Sequence, residues 1–223
     1  EFRRVLFRST MGDQRINSIA FLPGIFYRMG LDVALIELPY HGRRKPKTPI
    51  PLTPLATADA IRQAVTDLRD LGKYLRSTHQ GDLGIMGMSL GGYLAALWAS
   101  LEPLAFCVPI VPLVSLAELE WEVVSRQENF DELQDNGLSL DHLRLLYSPH
   151  SPLSHKLQIP KERTMLIAGL GDSVVPARQP KLLWDHWKRP PIHWLVGGHV
   201  AQFKRSRAFE EVVALLRGLG YVS

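Results

Sequence analysis

The chain contains one cysteine, Cys107, among 223 residues. A lone thiol excludes an internal disulfide and leaves no thiolate cluster to hold a metal. Cys107 lies in an apolar run, where a thiol acts as a small buried hydrophobe. Long apolar runs are lacking as well. Ala105 to Val114 is interrupted by Pro109 and Pro112 and falls far short of the ~20 residues a membrane-spanning helix needs. No internal repeat and no low-complexity tract is found, which sets aside solenoid and disordered classes. Charge of one sign is weak too, at +4 overall. Half of that excess comes from Glu1 to Ser9, which reads like the conceptual translation of a sequencing adapter and is expected to lie outside the fold. The remainder is too small to mark a nucleic-acid partner. With no His-Glu-x-x-His and no Gly-x-x-x-x-Gly-Lys, neither a metal site nor a cofactor is expected.

Hydrophobic residues make up 46% of the sequence, enough for one sizeable core in a chain too short for two independent domains. Short apolar runs alternate with helical spacing. The runs at 32–38, 82–87, 106–114, 164–168 and 192–196 read as buried strands. Helices are expected from about Gln14 to Met29, irregular at Pro23, from Thr57 past Leu75, and over 90–100, 179–187 and 207–219. This alternation predicts an α/β fold, a mostly parallel sheet covered by helices on both faces. Between Pro39 and Pro54 the prolines and Gly42 predict a loop. The acidic stretch 116–147 has helical pattern and fits a small insertion over the sheet.

At 87–91 stands Gly-Met-Ser-Leu-Gly, between an expected strand and an expected helix. A turn that lifts a serine hydroxyl off the end of a strand must be tight and strained, so its flanking residues must be very small. Ser89 is the candidate nucleophile, and the N–H of Leu90, at the positive end of the following helix, is the candidate oxyanion donor. A serine needs a base, and the base an orienting carboxylate. Asp172, 83 positions on, follows the 164–168 strand, and His199, a further 27 on, follows the 192–196 strand. All three then sit at the C-terminal ends of strands, where open parallel sheets place their sites. Glu37 and Asp185 are rival acids, but Glu37 precedes the serine and Asp185 lies in an aromatic helix as a surface charge. His41 reads as a loop residue near the site mouth, and His193 as a packed residue inside a strand.

Gly-Met-Ser-Leu-Gly-Gly at 87–92, Gly-x-x-Asp-x-x-Val-Pro at 169–176 and Gly-Gly-His at 197–199 resemble the α/β-hydrolase superfamily over essentially all of 11–223. Pro-Tyr-His-Gly-Arg-Arg, at 39–44, is most similar to the group named after abhydrolase domain-containing protein 18. The resemblance implies an α/β-hydrolase fold with Ser89 as nucleophile, His199 as base and Asp172 as its orienter. It implies an esterase-like enzyme that forms an acyl-enzyme on a small-molecule or lipid-like ester. An acyltransferase or a peptidase uses the same residues, and a non-catalytic binding protein on this fold is the competing class. Met88, Val175 and Val200 are expected to line the substrate site. Trp121, Val123, Val124, Phe130, Leu133, Leu143 and Leu146 are expected either to close a pocket over Ser89 or simply to pack. The superfamily draws a second oxyanion donor from a loop ahead of the first helix, and with 1–9 set aside, that loop and its strand are expected to be missing. The chain as it stands is then expected to be impaired by roughly 100- to 1000-fold. Localisation and oligomeric state are not fixed by these residues.

Overall fold

A computed structural model describes residues 3–8, 21–48, 53–199 and 205–223. Six strands form one sheet: β1 (Arg3–Arg8), β2 (Leu31–Leu35), β3 (Leu83–Met88), β4 (Cys107–Ile110), β5 (Leu166–Gly169) and β6 (Ile192–Leu195). Every pairing is parallel, in the spatial order β2-β1-β3-β4-β5-β6. Helices α1 (Phe21–Arg28), α2 (Pro54–Thr78) and α3 (Leu90–Leu101) alternate with the first four strands. After β4 come three short helices, α4 (Leu116–Val124), α5 (Phe130–Asp135) and α6 (Leu140–Tyr147). Helices α7 (Arg178–His186) and α8 (Arg205–Gly218) flank β6 in the chain.

Successive strand residues feed opposite faces, and both faces are covered. On β3, Leu83 and Ile85 enter one core with α2, α3 and the insertion, while Met86 enters the other with α1 and α8. Cys107 and Val108 on β4 divide the same way, as do Leu166 and Ile167 on β5. Helix α2 begins where Thr53 Oγ1 accepts the Ala56 N–H at 3.2 Å and Pro54 occupies the first turn. Its buried stripe runs from Ala58 through Ile61, Ala64, Val65 and Leu68 to Leu75.

Residues expected to stand outside the fold supply an interior strand of the sheet, second from its edge. Arg3–Arg8 pair with both β2 and β3, Val5 lying between Val33 and Gly84 in register. The slot between β2 and β3 presents backbone donors and acceptors from both sides, and an extended segment with Val-Leu-Phe at its centre satisfies them. The strand expected to be missing ahead of the first helix is therefore present. The loop after it, residues 9–20, lies outside the described residues, as do 14–20 of the expected first helix. Strand β4 is shorter than the 106–114 run because Val111 takes a positive φ of 38° and turns the chain out of the sheet.

Helices α4 to α6 occupy the stretch 116–147. Leu143 and Tyr147 are buried in the main core, with Trp121 and Leu146 packed against it, so ordinary packing accounts for these residues. Trp121 meets Phe130 edge-on at 5.3 Å, whereas Val123 is more than half exposed. Tyr147 Oη donates to the Pro54 carbonyl at 3.1 Å, and Arg144 pairs with Glu118 at 2.6 Å. Glu120 on α4 has a fully buried Oε2 with no hydrogen-bond partner among the described residues. Burial pushes its carboxyl above the usual range, partly offset by the Tyr147 and Thr57 hydroxyls. A carboxyl raised on folding contributes most when protonated, and that contribution is lost as pH rises through the raised value. Glu120→Gln keeps the size of the side chain and removes the charge. Its thermal midpoint is expected to gain on wild type as pH is taken from 4 to 8, and a gap unchanged with pH would contradict this.

Candidate active site

Chain order and sheet order diverge between β1 and β3. The first crossover runs outward to β2, the next returns to β3 on the other side of β1, and the rest proceed away from it. Such a reversal opens a crevice at the C-terminal ends of the two strands, the usual ligand position in open α/β sheets. Ser89 stands there, one residue beyond β3 and one before α3.

Local geometry at Ser89 follows from its neighbours. A Cβ on Gly87 would lie 2.1 Å from the Gly91 carbonyl oxygen, so no other residue fits that turn. Ser89 itself has φ 55° and ψ −118°, a strained conformation costing about 1–3 kcal/mol. Its hydroxyl makes no capping bond to α3. The backbone holds it instead: the Ser89 N–H donates to Ile110 O at 2.8 Å, and Ser89 O accepts the Tyr93 N–H at 2.9 Å. The Leu90 N–H heads α3, where it has no acceptor inside the helix and points with the helix dipole toward solvent or a ligand.

The acid and base arms are joined to each other. His199 Nδ1 lies 2.7 Å from Asp172 Oδ2, with side chains 12% and 1% exposed. The other carboxylate oxygen accepts the N–H groups of Val174 at 2.9 Å and Val175 at 2.8 Å. One oxygen is thus fixed by the backbone, and the other is left for the imidazole. The two supporting loops are stitched by Leu170 N–H to Leu195 O at 2.9 Å and Gly171 N–H to Gly197 O at 3.0 Å. A carboxylate facing Nδ1 places the proton there and leaves Nε2 as the basic nitrogen of the neutral ring.

The other expected site residues divide. Met88 is half-buried at the end of β3, beside Ser89. Val175, expected in the substrate lining, has its side chain buried in the main core and its N–H on Asp172 Oδ1. Val200 lies outside the described residues. His41 bonds to the Pro39 carbonyl at 2.8 Å within its loop. Glu37 is held by Arg43 at 3.4 Å, and Asp185 pairs at the surface with Lys181 and Arg189, so neither rival acid meets a histidine. Sequence reading missed a second histidine–carboxylate pair, His193 Nδ1 with Glu211 Oε1 at 2.8 Å. His193 lies within β6, opposite Ile167, and faces α8 rather than the strand ends. A period-2 strand pattern carries no sign of a partner 18 residues on. Among the described residues no group of three or more His, Cys, Asp or Glu is placed to hold a metal, and no helix is long and apolar enough to cross a membrane.

The parallel sheet, its two helical layers and the strand-to-helix elbow define an α/β-hydrolase fold. Residues 20–144 match the sequence profile of the family described as alpha/beta hydrolase domain containing 18, and the chain belongs to that family. A protein of Mycobacterium tuberculosis, "Uncharacterized protein MT2702" of strain CDC 1551 / Oshkosh, is 32% identical over 200 residues, 86% of this chain and 48% of the relative. "Uncharacterized protein Rv2627c" of strain ATCC 25618 / H37Rv matches to the same extent. The chain thus spans about half the length of the curated relatives it matches. Among solved structures, an acetyl xylan esterase from Paenibacillus sp. R4 superposes with TM-score 0.70 at 15% identity, over 96% of this chain and 74% of that one. Est1E from Butyrivibrio proteoclasticus, with ferulic acid bound, gives TM-score 0.70 at 14% identity, over 97% and 88%. At such identities the likeness is one of fold.

Gly87→Ala tests the elbow. Its methyl group would meet backbone, which cannot rotate away, and overpacking of this kind costs about 1–3 kcal/mol. A urea midpoint lowered to match is expected, and an unchanged midpoint would contradict the turn described.

Proposed function

We propose that this chain is a serine hydrolase that cleaves a carboxylic ester through an acyl-enzyme. The observation that carries the reading is the buried Asp172–His199 pair at the same sheet edge as the strained Ser89. Ser89 Oγ attacks the ester carbonyl while His199 Nε2 takes its proton. The imidazolium that forms is stabilised by Asp172 Oδ2 against Nδ1–H, and the carbonyl oxygen, now negative, is met by the Leu90 N–H. His199 then passes the proton to the departing alcohol, which leaves Ser89 acylated. Water, deprotonated by the same imidazole, releases the acid and restores the serine. No cofactor enters this scheme.

Met88 is proposed as part of the floor under the acyl group, being half-buried and adjacent to the nucleophile. A second oxyanion donor would come from residues 9–20, between β1 and α1, outside the described residues. The expectation of an impaired chain rested on a missing strand and loop; the strand is present as β1, and the loop residues lie outside the described residues. Solved neighbours named as esterases support the ester as substrate class, since the same framework carries that chemistry in them. A small-molecule or lipid-like ester fits this reading.

Hydrolysis of p-nitrophenyl acyl esters tests it. Wild type is expected to show saturable turnover that Ser89→Ala loses to background. Asp172→Asn keeps the side-chain volume but turns an amide toward Nδ1 and favours the wrong tautomer, with an expected fall in kcat of about 10⁴-fold. Turnover unchanged in Ser89→Ala would overturn the assignment.

A further inference from the structure

Four polar or charged residues are buried among the described residues: Ser100, Thr164, Asp172 and Gln179. Ser100 and Thr164 bond to carbonyls within four residues of themselves, as local capping does. Asp172 belongs to the site. Gln179 alone of the remaining three reaches across the chain: its Oε1 accepts the N–H of Val114 at 3.1 Å and of Ser115 at 2.7 Å, 65 and 64 residues away. Two converging N–H donors fix which end of the amide is oxygen.

The segments so joined are the two halves of the site. Residues 110–115 form the sleeve around the nucleophile: Ile110 O receives the Ser89 N–H, and the Leu113 N–H approaches Ser89 O at 3.4 Å. Pro112 lies against Gly92 in α3, where a Cβ would come within 3.0 Å of it. On the other side, Gln179 stands in the first turn of α7, its N–H donating to Pro176 O at 2.8 Å, directly after the Asp172–Val175 turn. Between β4 and β5 the backbone holds one register pair, Ile110 with Ile167, and where the arms leave the sheet the Val111 N–H donates to Ile167 O at 2.6 Å. Beyond that last backbone bond the Gln179 carbonyl adds a direct side-chain link, above the sheet, between the segment that carries Asp172 and the segment that holds Ser89.

We infer that Gln179 is a positioning residue, setting the distance between the Asp172–His199 arm and the Ser89 elbow by its double hydrogen bond to Val114 and Ser115. This rests on the serine-hydrolase reading. Gln179→Met preserves length and volume but has no carbonyl to accept the two N–H groups, whereas Gln179→Glu keeps an acceptor in the same place. The rate at which a fluorophosphonate phosphonylates Ser89, Oγ displacing fluoride from phosphorus, reads the alignment of serine and base when normalised to folded protein. A displacement near 1 Å costs on the order of 100-fold. Gln179→Met is expected to slow phosphonylation about 10- to 100-fold, and Gln179→Glu to stay within about threefold of wild type. Should Gln179→Met not fold, Gln179→Asn, one methylene too short to reach, carries the same expectation. A wild type that labels and a Gln179→Met that labels equally fast would overturn the inference while leaving the hydrolase reading standing. Equal slowing in Gln179→Met and Gln179→Glu would also overturn it, since packing alone would then account for the loss. A wild type that does not label overturns the hydrolase reading and this inference with it.

Discussion

At the end of β3 the backbone of Gly87 lies against the carbonyl of Gly91, so closely that a methyl group would sit 2.1 Å from the oxygen. That approach lets the strand turn straight into α3, and the turn forces Ser89 to φ 55°. The strained serine, the free N–H at the head of α3 and the sleeve from Ile110 to Ser115 all depend on it. Displace Gly87 and the hydrogen bond from Ser89 to Ile110, the seating of Pro112 on Gly92 and the entry into the insertion would shift together.

The acid–base arm is built by a different device. Among the described residues of the loops after β5 and β6 no residue other than glycine takes a positive φ; the loops are joined by backbone hydrogen bonds, and Asp172 is oriented by two N–H groups from its own turn. One arm is thus positioned by steric necessity and the other by hydrogen bonding. The parallel sheet sets both at one edge, and the reversal of strand order between β1 and β3 opens the space between them.

The elbow, Asp172 and His199 were legible because the constraints that shape them write glycine and carboxylate into fixed places in the sequence. Most strands and helices were legible from period alone, to within a few residues. What stayed hidden has no local signature. Strand β4 stops early because Val111 turns, although Phe106 to Val114 is uniformly apolar. The pairing of His193 with Glu211, of Arg178 with Glu122 and of Gln179 with Val114 and Ser115 depends on the meeting of distant elements. Arg3–Arg8 were discounted for what they resembled, yet the segment pairs on both sides as the strand between β2 and β3. Val175 was placed in the lining for its adjacency to Asp172, but a tight turn sends neighbouring side chains apart, Val174 outward and Val175 into the core.

The central claim is that Ser89 is made nucleophilic by His199, itself oriented by Asp172. Peptide mapping by mass spectrometry after exposure to a fluorophosphonate tests this most directly. The account predicts one phosphonyl adduct, on the peptide bearing Ser89, formed in wild type and absent when His199 is replaced by alanine. An adduct on another serine, or labelling of Ser89 that persists at the wild-type rate without His199, would contradict it.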